Sequence, residues 1–247
     1  MLRPQWMLMI ASAINACTAT PPALAPEPPP AVPAPEAVPA AVVAPVVSLP
    51  IVDTPLPFDD ARKALTLAYL RAHVDPDATT IDIVPHVVVL HWTGGGTFDS
   101  AFATFAPNTL EGRPELAGAG DLNVSSQFIV DRDGTIHRVM PETWMARHCI
   151  GLNWNSIGVE NVGGTDEAPL TDAQVAADAA LIRYLASKYP IEVVVGHHEY
   201  RTLDGTKYFR ELDANYRTEK VDPGPVFMGR VREAIADLRL AGGSPPM

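Results

Sequence analysis

Residues 87–91 read Val87-Val88-Val89-Leu90-His91, a continuous apolar run that ends in a histidine. A run of this kind predicts a strand buried on both faces of a sheet, and Gly94-Gly95-Gly96 breaks it. Runs of similar character occupy residues 157–162 and 193–197, and helical patterns stand between the runs. The sequence therefore predicts an α/β fold in which a mixed central β-sheet is flanked by helices.

The other elements follow from periodicity and turn chemistry. The turn Asp131-Arg132-Asp133-Gly134 lies between two strand-like runs, which predicts a hairpin. Thr171 and Gln174 form a capping box that opens a helix reaching Lys188. Strands are expected over 126–130 and 135–139, helices over 59–73, 98–105 and 227–240, and surface loops over 108–122 and 201–218.

The chain of 247 residues divides by composition into two main parts. More than half of its 25 prolines fall before residue 58, and the Pro- and Ala-rich residues 17–57 predict an extended tether. Residues 58–247 have the composition of a single globular domain. The net charge is −11, and no Lys/Arg run interleaves with aromatic residues, so nucleic acid is not an expected partner. A monomer is the default expectation.

Residues 1–16 have the pattern of a secretory signal peptide, with an apolar run over 6–14 that is too short to span a bilayer. The run ends in Ile14-Asn15-Ala16-Cys17, which resembles the lipobox of bacterial lipoproteins. That resemblance implies cleavage before Cys17 and a lipid on its sulfur. The alternative is ordinary cleavage after Ala23-Leu24-Ala25, which would remove Cys17.

Two histidines and one aspartate are the candidate metal ligands. His91 ends one strand run, and His197 follows Gly196 at the end of another. Successive side chains of a strand point to opposite faces, so His197 is chosen over its neighbour His198. Asp222 stands before a proline that favours an extended backbone. Two histidines and a carboxylate can hold zinc with a fourth position open, which is the pattern of a catalytic site and predicts a metal-dependent hydrolase.

Two of the three ligand assignments have a simpler alternative. His91 alone is more often a structural histidine, and Asp222 is equally suited to capping the last helix. The chain has two cysteines, Cys17 and Cys149, so any metal site of the domain must be built from histidines and carboxylates.

Glu160 and Lys220 are the candidate catalytic residues. Glu160 lies among β-branched neighbours, where a raised pKa would suit a general base. The alternative is an edge-strand glutamate that faces solvent. Lys220 stands two residues before Asp222, so in an extended segment both point to one side, where an ammonium can stabilise an oxyanion. The alternative is an ordinary surface lysine.

Together these residues resemble the type-2 N-acetylmuramoyl-L-alanine amidase family, which includes the peptidoglycan recognition proteins. The resemblance covers residues 85–240. It is most similar to the outer-membrane lipoprotein branch because of Phe98-Asp99-Ser100, Val124-Ser125-Ser126 and the lipobox-like stretch. The stretches that carry it are Val88-Val89-Leu90-His91-Trp92-Thr93, Val124-Ser125-Ser126-Gln127-Phe128-Ile129-Val130, Ser156-Ile157-Gly158-Val159-Glu160, Gly196-His197 and Lys220-Val221-Asp222-Pro223-Gly224-Pro225.

The resemblance implies a zinc enzyme that hydrolyses the amide between N-acetylmuramic acid and L-alanine in peptidoglycan or muropeptides. In that family pattern His91, His197 and Asp222 match the zinc ligands, Glu160 the catalytic glutamate and Lys220 the catalytic lysine. It also implies a periplasmic location at the outer membrane. The alternatives are a peptidoglycan-binding module without turnover and a structural lipoprotein.

Some positions depart from the family pattern or leave their role open. Ser126-Gln127 stands where family members often carry His or Tyr, which puts a substrate contact or an auxiliary catalytic group in doubt. His148 falls where they often place a cleft histidine, and its neighbour Cys149 is either a redox-sensitive thiol or an inert buried one. The interval from His197 to Lys220 is longer than in compact members. Its aromatic residues either line a groove or pack a surface loop: Tyr200, Tyr208, Phe209 and Tyr216.

Overall fold

The structure is a computed structural model, and it describes residues 49–113, 116 and 118–242. The predicted signal peptide, Cys17 and the tether as far as residue 48 lie outside the described residues. Among those described, no helix has the length and apolar character that a membrane span requires. The strands are β1 Val52–Asp53, β2 Val87–Trp92, β3 Phe128–Val130, β4 Ile136–Arg138, β5 Ser156–Asn161 and β6 Val193–Gly196. The helices are α1 Asp60–His73, α2 Phe98–Phe105, α3 Asp172–Lys188 and α4 Pro225–Ala234, with 3₁₀ helices at His197–Leu203 and Ala236–Leu238.

The described strands form one mixed six-stranded sheet in the order β1-β4-β3-β5-β2-β6. β2 runs parallel to its neighbours β5 and β6, and β3 and β4 form the antiparallel hairpin. The apolar run of β2 is fully buried because helices and loops cover both of its faces. The mixed sheet predicted from the sequence is confirmed.

The alternation of side chains along β2 sorts the core into two layers. Val87 and Val89 contact the layer that includes α1 and α2, whereas Val88 and Leu90 contact the layer under α3 and α4. Because the period of a strand is two residues, His91 falls on the side of α1 and α2. Long loops cover that side, and they leave a cleft at the carboxyl ends of the parallel strands.

The predicted helices are present, with one boundary displaced. Thr171 and Gln174 form the expected capping box of α3. The last helix, expected over 227–240, ends at Ala234. The chain then turns back to β6, where the amide of Val194 donates to the carbonyl of Ala241 at 2.7 Å. Pairing with the open edge of β6 satisfies backbone groups that a longer helix would leave exposed.

The packed domain reaches upstream of residue 58. Within the Pro-rich tract, β1 pairs with β4, and the side chain of Leu56 is buried. Arg138 of β4 reinforces this pairing because its guanidinium donates to both carboxylate oxygens of Asp53, at 2.7 and 3.0 Å. Composition does not reveal this edge strand because two residues are too few to produce a periodic pattern.

Candidate metal centre

Three side chains converge at the carboxyl ends of β2 and β6. The Nδ1 atoms of His91 and His197 are 3.0 Å apart. Oδ2 of Asp222 is 3.2 Å from the first of these nitrogens and 3.1 Å from the second. All three side chains are buried, and they form a candidate metal-binding group within the described residues.

The sheet register explains why the two histidines meet. Leu90 pairs with Gly196 across β2 and β6, so the next residue of each strand, His91 or His197, emerges at the same point. His198 lies behind the group, and both its backbone amide and its Nδ1 contact the carbonyl of Asp222, at 2.8 and 3.0 Å. His198 therefore holds the segment that carries Asp222, and the choice of His197 for the cluster agrees with the geometry.

Asp222 does not cap the last helix. The cap position of α4 is Gly224, which makes no side-chain hydrogen bond, and Pro225 fills the first turn. The carboxylate of Asp222 instead contacts the two imidazoles. The helix-capping alternative is wrong because the Pro223-Gly224 turn separates Asp222 from the helix.

The electrostatics of the group favour the protonation states that a metal requires. Burial raises the pKa of Asp222, but the adjacent imidazoles of His197 and His91 outweigh that effect and hold the pKa well below its usual range. Burial and the neighbouring His91 lower the pKa of His197 to about 4, against the opposing pull of Asp222. An anionic carboxylate beside a neutral imidazole is the ligand form of this pair.

The three ligand atoms fit a zinc ion. Zinc–nitrogen and zinc–oxygen bonds of about 2.0–2.1 Å in a tetrahedron place neighbouring ligand atoms roughly 3.3 Å apart. The edges of this triangle are 3.0, 3.1 and 3.2 Å. Two nitrogens and one oxygen are also a donor set that zinc accepts in catalytic sites, where three protein ligands leave a fourth position for water or substrate.

Glu160 and Lys220 line the same cleft of about 280 Å³ as the three ligands. Glu160 is the direct neighbour of His91 in the register of β5 and β2, which places its carboxylate on the same face of the sheet. Burial raises the pKa of Glu160 to about 7, and one of its oxygens, Oε2, has no hydrogen-bond partner among the described residues. β5 lies inside the sheet, between β3 and β2, so the edge-strand alternative is wrong.

The cleft also contains residues that the sequence analysis did not single out. Arg113 stands exposed at the mouth, on the loop that follows α2. Arg147 is buried in the wall and donates to the carbonyls of Leu116, Gly120 and Leu122, which fixes part of that loop. The sequence signal for a buried Arg147 was its position directly after the apolar residues Met145 and Ala146. An arginine in a buried segment needs several hydrogen-bond acceptors.

His148 lines the cleft beside His91, and Gln127 does not reach it. Gln127 is fully buried, accepts from the amide of Gly158 at 2.7 Å and donates to the carbonyl of Trp144 at 2.8 Å. In the segment before β3, Val124 and Ser125 line the cleft instead. The amide of Gln127 therefore ties β5 to a loop and contributes no cleft group.

The long interval before Lys220 mostly packs as a surface loop. The Tyr200 hydroxyl donates to the carbonyl of Thr218 at 2.7 Å, and the Tyr208 hydroxyl donates to Glu192 at 2.6 Å. The ring of Phe209 lies under the guanidinium of Arg217, 4.7 Å from its centre. Of the four aromatic residues, Tyr216 lines the cleft.

Cys149 is buried in the cleft wall, and burial raises the pKa of its thiol well above the usual value. A thiol without thiolate character reacts slowly with oxidants. This environment favours the inert alternative over the redox-sensitive one.

The chain matches the protein family described as N-acetylmuramoyl-L-alanine amidase over residues 82–225, and it belongs to that family. It is 40% identical over 85 residues to the endolysin of Escherichia phage T7, an alignment that covers 32% of this chain and 56% of the endolysin. The chain thus spans about half the length of the phage endolysins it matches.

Two further similarities cover more of the chain. It is 32% identical over 146 residues to the 1,6-anhydro-N-acetylmuramyl-L-alanine amidase AmpD of Citrobacter freundii, which covers 54% of this chain and 67% of that protein. Among solved structures, the endolysin amidase LysCS of Clostridium intestinale URNW aligns with 79% of this chain and 99% of its own, at 19% identity and a TM-score of 0.49.

Proposed function

We propose that this protein is a zinc-dependent N-acetylmuramoyl-L-alanine amidase that hydrolyses the amide between N-acetylmuramic acid and the L-alanine of peptidoglycan stem peptides. One observation carries the proposal. The buried ligand triangle of His91, His197 and Asp222 shares a cleft with Glu160, whose pKa burial raises to about 7. Membership of the amidase family supports the choice of bond.

The residues of the cleft divide the work of hydrolysis among them. His91, His197 and Asp222 would hold a zinc ion, which would supply the Lewis acidity that polarises the scissile carbonyl and lowers the pKa of a water molecule. Glu160 accepts a proton as water attacks the carbonyl carbon, and a pKa near the working pH suits this role. Lys220 supplies a positive charge for the oxyanion that develops on the former carbonyl oxygen.

The second half of the reaction breaks the carbon–nitrogen bond. Glu160 returns its proton to the departing nitrogen of L-alanine, so the stem peptide leaves with a free amino group. The lactyl group of the muramic acid keeps the oxygen from water as a carboxylic acid, whose proton passes to the released amine or to solvent and leaves a carboxylate. The two transfers through Glu160 balance, and the residue ends in its starting form.

The alternative is a module that binds peptidoglycan without turnover. The complete set of three ligands, a carboxylate with a raised pKa and a cleft lysine favours the enzyme. A binding module would have no need to keep Oε2 of Glu160 buried without a hydrogen-bond partner, because such an atom costs stability.

We also propose that the enzyme is a lipoprotein, anchored through Cys17 on the periplasmic side of the outer membrane and spaced from it by the Pro-rich tract. The lipobox-like Ile14-Asn15-Ala16-Cys17 supports this placement. In a Gram-negative host, Cys17→Ser should move the protein from the outer-membrane fraction to the soluble periplasm. Retention of the variant in the membrane fraction would contradict the anchor.

The test of the enzymatic proposal uses the purified full-length chain and purified peptidoglycan. Bound zinc is measured by elemental analysis, and release of wall fragments is followed with a chelator and after zinc is added back. Asp222→Ala should lose both zinc and turnover while still sedimenting with insoluble wall. Turnover that persists in a zinc-free Asp222→Ala variant would overturn the zinc mechanism, and wall binding without turnover in the wild type would favour the binding module.

A further inference from the structure

The metal ligand His91 is connected to a chain of hydrogen-bonding groups on its far side. Its Nδ1 faces the ligand triangle, and its other nitrogen, Nε2, lies 3.1 Å from Nδ1 of His148. Nε2 of His148 lies 3.2 Å from Oγ of Ser156. The hydroxyl of Ser156 in turn lies 2.7 Å from the carbonyl oxygen of Leu152.

The last group in the chain sets the direction of every bond before it. A carbonyl oxygen can only accept, so Ser156 donates its single hydrogen to Leu152. Oγ of Ser156 then accepts from Nε2–H of His148. A neutral imidazole has one donor and one acceptor, so Nδ1 of His148 accepts, and the hydrogen comes from Nε2 of His91. With its hydrogen on Nε2, His91 presents a bare lone pair on Nδ1, and the carboxylate of Asp222 accepts instead from Nδ1–H of His197 at 3.1 Å.

The backbone around His148 holds its ring in this position. Oδ1 of Asn153 accepts from the amides of both His148 and Cys149, at 2.9 and 2.7 Å. The ring lies over β5 at Gly158, where a Cβ atom would come within 2.7–2.9 Å of three ring atoms. A glycine at this point of the strand leaves the space that the imidazole fills, so the position of the ring is built into the sheet.

We propose that His148, supported by Ser156, is a positioning residue that keeps the hydrogen of His91 on Nε2 and so reserves Nδ1 of His91 as a metal ligand. The inference rests on the proposed function in that it assumes a metal at the ligand triangle. Residues that orient a metal-ligating histidine typically change metal affinity by 10–100-fold when they are removed. His148 acts here through His91 and is assigned no contact with the reacting atoms.

The experiment compares zinc affinity in four full-length proteins: wild type, His148→Leu, His148→Gln and Ser156→Ala. Affinity is measured by competition with a chromophoric chelator. His148→Leu removes both hydrogen bonds and should weaken zinc binding by about 10–100-fold. His148→Gln is the matched control, because its amide oxygen can accept from His91 while its amide hydrogens donate to Ser156. It should recover most of the loss, whereas Ser156→Ala should fall between the two.

A second readout needs no metal. The nitrogen-15 shifts of the His91 ring in the zinc-free protein distinguish the two tautomers. The wild type should show the hydrogen on Nε2, and His148→Leu should show a mixture or the other tautomer. The change of tautomer is read without measuring activity, and removing a residue that merely fills space would not cause it.

The outcomes separate this inference from the proposed function. Equal zinc affinity in wild type and His148→Leu, or an Nδ1–H tautomer of His91 in the wild type, overturns the positioning role and leaves the amidase proposal standing. A wild type without zinc affinity overturns the amidase proposal, and the tautomer still decides the role of His148. If His148→Leu fails to fold, the wild-type tautomer of His91 and the zinc affinities of His148→Gln and Ser156→Ala decide whether His148 has the positioning role.

Discussion

Replacing Glu160 with glutamine should strongly reduce turnover and at the same time stabilise the metal-free protein. The carboxylate of Glu160 lines the cleft, and burial raises its pKa from 4.5 to about 7. The folded chain therefore holds a proton that the unfolded chain releases. The stability of the wild type falls as the pH rises from about 4.5. Above about pH 7, Glu160 makes its least favourable contribution to the free energy of unfolding.

The size of the effect follows from the same two pKa values. A difference of 2.5 between 4.5 and about 7 corresponds to about 3 kcal/mol, at 1.36 kcal/mol for each pKa unit. The side chain is partly open to water in the cleft, which reduces the expected gain for Glu160→Gln to roughly 1–3 kcal/mol above pH 7. The gain should vanish near pH 4. Loss of the general base should lower turnover by about 10²–10⁴-fold.

Two assays test this prediction on one variant. Urea denaturation of chelator-treated protein at pH 4 and pH 8 gives the difference in stability, and hydrolysis of peptidoglycan by the zinc-loaded protein gives turnover. Zinc should remain bound to Glu160→Gln, because Glu160 is not one of the ligand atoms. A variant that is less stable than the wild type at pH 8, or that keeps wild-type turnover, would refute the assignment of Glu160 as a buried general base.

The remaining predictions concern three other residues. Asp178 is fully buried, and burial raises its pKa from 3.8 to about 8. Asp178→Asn should therefore stabilise the chain by about 2–4 kcal/mol at pH 7 and leave its stability unchanged below pH 4. Denaturation at both pH values measures this difference. Gly158→Ala would place a methyl group within 2.7–2.9 Å of the His148 ring and should weaken zinc binding in the chelator competition assay. Lys220→Met should lower turnover by about 10²–10³-fold without changing zinc content, as kinetics and elemental analysis would check.

Much of the candidate metal centre could be predicted because its residues stand at strand ends. The apolar runs before His91 and His197 indicate buried strands, and the alternation of side chains selects His197 over His198. Residue chemistry alone left two alternative roles open for Asp222 and for Glu160. The turn at Pro223-Gly224 and the position of β5 inside the sheet decided both.

Other features depend on how loops fold, which periodicity does not describe. The contact of His148 with His91 requires a particular path for residues 141–155, and the buried amide of Gln127 is satisfied by a loop carbonyl at Trp144. Helix α4 ends early because the chain that follows it forms backbone hydrogen bonds with the open edge of β6. A single sequence shows the residues that take part in such contacts but not their pairing.

The identity of the reaction products would decide whether the protein is an N-acetylmuramoyl-L-alanine amidase. Purified full-length protein is incubated with purified peptidoglycan, with a chelator in one sample and with zinc restored in another, and the soluble products are analysed by mass spectrometry. We expect stem peptides with a free amino-terminal alanine, which are lost on chelation and restored by zinc. Zinc-loaded, folded protein that releases no such peptide, or that cleaves the glycan strand instead, would refute the amidase assignment.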